Sequence, residues 1–246
     1  MAYVDNGFCW HGIVSPSPER AVAFYPEVLG WSVQPVPMGS AEVQTFVTGE
    51  VGRAHLASPA QGEAPSWNHY LRVDDVDART KVAEANGGRV QVPPTDIAVG
   101  RFSVVTSPSG AAFHLFHEAR EAESENAPGG PGAVHWVELW SRDLDADVTW
   151  LSASFGFEAK SMNMPNGPYI LLEHNGVMRG GAMATEDTPA HWLAWVHVPN
   201  VDEAFARATN HGGTALTEPF DVPTVGRMAV IADPDGARFG IITPTP

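Results

Sequence analysis

The sequence predicts an α+β protein made of four βαβββ modules in two tandem domains, and three observations carry that prediction. First, the chain from Met1 to about Phe116 returns from about Ala127 onward, at an offset of 125 to 126 residues. Gly100-Arg-Phe-Ser-Val-Val-Thr-Ser-Pro-Ser-Gly-Ala-Ala-Phe113 comes back as Gly226-Arg-Met-Ala-Val-Ile-Ala-Asp-Pro-Asp-Gly-Ala-Arg-Phe239, and Trp10, Gly30, Arg53 and Trp67 find mates in Trp136, Gly156, Arg179 and Trp192. Second, each copy runs twice through strand, helix and several strands. Third, strands outnumber helices and are joined by short turns, which places helices over one face of curved sheets.

The elements follow in order. Phe8 to Val14 is a short apolar strand. Ser17-Pro18-Glu19 supplies an N-cap, a first-turn proline and an acid at the positive end of a helix. That helix turns Ala21, Val22, Phe24, Tyr25 and Val28 inward and stops at Gly30, with Pro26 expected to tighten or break its last turns. Trp31 to Leu56 reads as antiparallel strands punctuated by Pro35, Pro37, Gly39, Gly49 and Gly52. A second module begins with a strand at Trp67 to Val73, a helix from Val76 to Asn86 capped by Asp75, a Gly87-Gly88 stop, and strands near 88–92, 101–106 and 111–117. Asp143 and Asn200 are the matching caps in the second copy. The polar, then Pro/Gly-rich stretch Glu118 to Ala133 is the expected linker, which sets domains at 1–117 and 134–246.

Composition excludes several functions. The formal charge is −15 with only 14 Lys and Arg, so a phosphate-backbone partner is not expected and the chain should bind no nucleic acid. No run of 18 apolar residues and no leader pattern occurs, which predicts a cytoplasmic protein without membrane attachment. Cys9 is the only cysteine, lies in an apolar run and reads as a small buried residue. Nucleophile elbows, phosphate loops, dinucleotide fingerprints and Cys-x-x-Cys pairs are missing. The expected partner is a small molecule, and the chain is read as a monomer or a homodimer.

The run Ala21 to Trp31, the Val-Asp-Asp-Val-Asp-Ala run from Val73 to Ala78 and the Asp-Pro-Asp-Gly turn from Asp233 to Gly236 resemble the vicinal oxygen chelate superfamily. That group includes glyoxalase I, bleomycin-resistance proteins and extradiol dioxygenases. Trp10, Trp136 and Trp67-Asn68 resemble its tandem-domain branch, whose members are commonly labelled hydroxylases. The resemblance implies U-shaped mixed sheets and, in metal-binding members, one ligand on each of several strands. Counting from the motifs places those ligand positions at Trp10, His55, Asn68 and His114 in the first copy and at Trp136, Gly181, Leu193 and Gly240 in the second.

Imidazoles therefore gather in the first copy only. One reading is a divalent metal, Fe, Zn, Ni or Mn, held by His55 and His114 with His69 or His11 brought inward by a β-bulge. The other is separate core or pocket histidines, since strand alternation sends His11 and His69 to the opposite face from Trp10 and Asn68. The second copy offers Glu138, on the same side of its strand as Trp136, where the first has Gly12. It is either a general base with a raised pKa or a structural carboxylate bonded to backbone or to an arginine such as Arg227. Asp96 and Asp221 read as loop caps, and Arg101 and Arg227 as partners of a carboxylate.

Trp10, Trp67, Trp136, Trp140, Trp192 and Trp195 fall on strands expected to line the troughs. With Asn68 they suggest an apolar, aromatic or polyketide-like ligand. Two functions follow. One is an enzyme performing oxygenation, isomerisation or lyase chemistry with Glu138, His55 and His114 as catalytic groups. The other is a non-catalytic protein that sequesters a drug or metabolite.

Overall fold

The computed structural model describes residues 6–39, 41–119, 129–164 and 167–245. The first module holds β1 (Phe8–Val14), α1 (Pro18–Leu29), β2 (Ser32–Met38), β3 (Ala41–Thr48) and β4 (Val51–Ala57). The second holds β5 (Ser66–Arg72), α2 (Val76–Ala85), β6 (Arg89–Ile97), β7 (Gly100–Thr106) and β8 (Ala112–Glu118). The third and fourth repeat the scheme with β9 (Val134–Ser141), α3 (Leu144–Phe155), β10 (Glu158–Met164), β11 (Gly167–His174) and β12 (Val177–Ala184), then β13 (His191–His197), α4 (Val201–Asn210), β14 (Thr214–Ala215), β15 (Phe220–Val222), β16 (Gly226–Ala232) and β17 (Arg238–Pro244). Residues 120–128 of the expected linker lie outside the described residues.

Local chemistry explains most boundaries. Asp75, Asp143 and Asn200 each accept a hydrogen bond from a first-turn backbone N–H, as capping requires. Ser17 stands at the N-cap of α1 without such a bond; the Ser15 hydroxyl instead accepts from the Ser17 N–H. Contrary to expectation, Pro26 does not break α1, which continues to Leu29. Only one turn remains beyond the proline, so a single backbone bond is forgone. Gly30 and Gly156 close α1 and α3 in left-handed conformations with φ of 69° and 70°, where a Cβ would be strained.

The strands form two mixed sheets. The first has the order β2-β3-β4-β1-β5-β8-β7-β6, and the second β10-β11-β12-β9-β13-β17-β16-β14 with β15 beside β16. In each module the first strand pairs parallel with the last, as in β1 with β4 and β5 with β8, while the remaining pairs are antiparallel. β2 carries Pro35 and Pro37 at the sheet's end, where a missing ladder donor is tolerated. β6 reaches Ile97, beyond the expected 88–92, because register shifts absorb Pro93 and Pro94 at the opposite end. The β3–β4 and β11–β12 ladders shift register at Phe46/Val47 and Leu172/Glu173, the same place in the two copies.

Each repeat supplies one sheet, but the compact units are drawn differently. One unit comprises Met1–Trp10, Asn68–Glu125 and Trp136–Trp192; the other comprises His11–Trp67, Asn126–His135 and Leu193–Pro246. The grouping follows the helices: α2 packs on α3 in the first unit and α1 on α4 in the second. The core of the second unit gathers Phe24, Tyr25, Val28, Trp67, Ala204 and Phe239. Within it the Trp67 indole donates to the Tyr25 hydroxyl at 2.9 Å, and that hydroxyl donates to Asp233 at 2.9 Å. In the first unit the ring set Phe113, Trp150, Phe155 and Trp192 plays the same role.

Candidate functional site

In the first unit, β9 alternates between two faces. Val137 and Leu139 are buried on one side, which turns Trp136, Glu138 and Trp140 to the other. Glu138 is 5% exposed. Its Oε1 accepts the Trp140 indole N–H at 2.6 Å and its Oε2 accepts the Tyr169 hydroxyl at 2.8 Å. The Trp136 indole donates to the same Tyr169 oxygen at 2.8 Å. Burial, and next the negative Glu138, push the Tyr169 pKa up, so the phenol stays a proton donor to the carboxylate. Gly181 faces Glu138 in the parallel β9–β12 ladder, and its missing side chain leaves room for the Tyr169 ring. The arrangement is a carboxylate framed by aromatic rings, able to accept a proton or a hydroxyl from a flat ligand. The expected partner Arg227 is elsewhere: it pairs with Asp202 at 2.6 Å and Asp221 at 3.1 Å. Likewise Arg101 holds Asp77 and Asp96, so Asp96 and Asp221 are ion-pair partners rather than loop caps.

The other residues of the predicted site divide by strand parity. Trp67 joins the helix-side core and Trp192 packs on Phe8 and Phe113, so these two fill core rather than the opposite face. His69 shares the parity of Trp67 and is buried, with the Phe8 ring edge-on at 6.3 Å. Asn68 and Tyr70 are half-buried on the other face. Tyr70 pairs with His114 across β5 and β8, and their rings stack at 4.4 Å with 29° between planes; Phe102 adds a third ring at 6.2 Å. Trp10 is half-buried on β1. Cys9, expected buried, is half-buried, and its thiol donates to the Tyr70 carbonyl at 3.4 Å. Burial pushes that thiol up to about 12, which makes it a poor nucleophile.

His55 belongs to the second unit, paired with Gly12 across β1 and β4. A Cβ on Gly12 would lie 2.6 Å from its ring, so glycine there admits the imidazole. Burial lowers the His55 pKa, with a hydrogen bond to the His11 backbone acting the other way. Burial, and secondarily His55, lowers His11 to about 3. Both rings are neutral at pH 7.

The residues do not fit a metal ion. His69 and His114 project from opposite faces, so His69 does not join His114. Among the described residues no group of three or more His, Cys, Asp or Glu gathers in a way that could hold one. A tight site needs at least three protein ligands.

Residues 8–115 and 133–241 each match the Glyoxalase/Bleomycin resistance protein/Dioxygenase superfamily. The chain belongs to this superfamily. Among relatives, "Putative glyoxylase CFP32" of Mycobacterium bovis is 34% identical over 96% of this chain and 94% of its own length. "Anthracycline biosynthesis protein DnrV" of Streptomyces peucetius is 28% identical over 95% and 91%. Among solved structures, the Mn(II)-bound glyoxalase of Novosphingobium aromaticivorans superposes with a TM-score of 0.67 at 18% identity, covering 97% of this chain and 82% of that one. The superfamily fold is thus present twice, as the repeat and the turn motifs indicate. Within the described residues no helix is long and apolar enough to cross a membrane.

Sequence reasoning placed Glu138 correctly beside Trp136 on its strand but missed Tyr169. The signal was available by difference: Tyr169 stands where the first copy has Val43, and Gly181 where it has His55. A large side chain gained next to one lost marks a filled hole.

Proposed function

We propose that this superfamily member is an enzyme acting on a hydrophobic, oxygenated aromatic or polyketide-like small molecule, with Glu138 as the general base. The observation that carries the reading is the Glu138 carboxylate, held by Trp140 and Tyr169 on the sheet face turned away from the helices. Glu138 removes a proton from a carbon next to a substrate carbonyl; the C–H electron pair becomes the new C=C bond and the carbonyl π pair moves to oxygen. Where the substrate carries a C=C bond one carbon further on, the electron pair extends into a dienolate, and return of the proton to the far carbon of that bond completes an isomerisation without an oxidant. The aromatic rings of Trp136 and Tyr169 supply flat apolar surface for such a ligand. The name of the Streptomyces relative, an anthracycline biosynthesis protein, points to the same substrate class. The manganese of the Novosphingobium neighbour belongs to that protein; the described residues here gather no set of ligands for a metal.

The stacked Tyr70, His114 and Phe102 rings favour a second reading, sequestration of a flat ligand without chemistry. Two measurements separate them. Proton–deuterium exchange at the carbon next to the carbonyl of 2-tetralone, followed by NMR, should be accelerated by the protein and fall ~100-fold or more in Glu138→Gln. Binding of 1,8-dihydroxyanthraquinone, followed by tryptophan quenching, should survive that substitution. Binding without any exchange in the wild type would establish sequestration instead.

A further inference from the structure

We propose that His191 is a second proton-transfer residue of the Glu138 site, a role that rests on the reading of Glu138 as a base. On β13 the even positions Ala194 and Val196 belong to the helix-side core and Trp192 packs on Phe8 and Phe113, whereas the His191 ring meets Trp140, on the face that carries Glu138 on the neighbouring β9. The Trp140 indole lies between the two groups: its N–H donates to Glu138 at 2.6 Å and its ring sits 5.4 Å from the His191 ring, tilted by 52°. His191 Nδ1 is 2.8 Å from the Pro189 carbonyl oxygen. A carbonyl only accepts, so Nδ1 carries a proton and the neutral ring presents Nε2 as its basic nitrogen. The first copy has Ser66 at this place and Gly12 at that of Glu138, so the acid and the imidazole occur together in the second copy alone.

The chemistry balances. As Glu138 takes the proton from carbon, the imidazolium form of His191 gives its Nε2 proton to the carbonyl oxygen, and an enol results. In the reverse sense Nε2 takes the enol proton back while Glu138 returns its proton to the far carbon of the conjugated dienol, so both groups end as they began. Of the titratable groups, Glu138 on β9 is joined to the ring through the Trp140 indole, and Tyr169 on β11 meets the far oxygen of that carboxylate. Glu186 and Asp187 precede His191 in the loop, where Arg142 holds the Glu186 carbonyl at 2.6 Å.

The test begins on the protein without ligand. Long-range ¹H–¹⁵N NMR of the histidine rings should show His191 protonated at Nδ1 in its neutral form, and its titration midpoint should fall in Glu138→Gln, because the carboxylate that favours the imidazolium is gone. A midpoint that does not move, or a neutral ring protonated at Nε2, overturns the proposal. With 2-tetralone, His191→Gln should lower kcat for exchange ~10-fold or more with KM changed less than ~3-fold, and should remove one limb of the pH profile. A variant with wild-type kcat and an unchanged profile also overturns it. If the rings are coupled but the wild type catalyses no exchange, the base assignment of Glu138 fails, and with it the catalytic role of His191.

Discussion

Tyr169 fills the space that a side chain at position 181 would need: a Cβ on Gly181 would lie 2.0 Å from the Tyr169 hydroxyl oxygen. The first repeat solves the same junction the other way round, with His55 laid over Gly12. Where one copy has glycine and histidine facing each other across parallel strands, the other has glutamate and glycine. The two repeats have exchanged which strand gives up its side chain.

Gly181→Ala should therefore push Tyr169 away from Glu138. The expected cost is ~1–3 kcal/mol, as for other overpacked sites, with loss of 2-tetralone exchange. Thermal denaturation measures the first effect, and an unchanged melting temperature would contradict the packing argument.

Tyr169→Phe keeps the ring and removes the hydroxyl that serves both Glu138 and the Trp136 indole. Leaving these groups without it should cost ~1–3 kcal/mol in urea denaturation. Combined with Gly181→Ala the losses should be less than additive, because both changes break the same contact.

Acid should destabilise the protein through its buried histidines. His11 falls from 6.5 to about 3 on folding, and His55 is lowered as well. Their contribution is complete above pH 6.5; below it the unfolded chain takes up protons that the folded rings refuse, so stability declines from 6.5 toward 3 by up to ~1.4 kcal/mol per pH unit through His11, and His55 steepens the decline just below 6.5 in the same direction. Urea midpoints at pH 8, 6 and 5 should fall in that order, and His55→Gln should flatten the slope.

Trp67→Phe and Trp192→Phe should differ in cost although the residues are repeat mates. The Trp67 indole donates to Tyr25, whereas the Trp192 Nε1 is buried with no hydrogen-bond partner among the described residues, because Leu151 stands in place of Tyr25. The first variant should lose ~1–2 kcal/mol more than the second in denaturant titration.

The repeat, the caps at Asp75, Asp143 and Asn200 and the glycine stops were legible in the sequence because each is a local signal with a fixed spacing. The length of β6 was not, since Pro93 and Pro94 are absorbed by register shifts that only the β7 ladder reveals. At the site, Glu138 could be placed by period-two alternation from Trp136. His191 could have been found by comparing it with Ser66 next to the aligned tryptophans, but Tyr169 reaches Glu138 from a strand that is not its neighbour. Alternation also sets Trp67 and Trp192 opposite Asn68 and Leu193, a difference that counting tryptophans by strand alone hid.

Because α1 meets α4 and α2 meets α3, each compact unit needs chain from both repeats. A polypeptide severed between the repeats would yield two fragments whose helices lack their counterparts, so the halves are obligate complements. Expressed separately they should be insoluble, and expressed together they should reassemble into one functional particle.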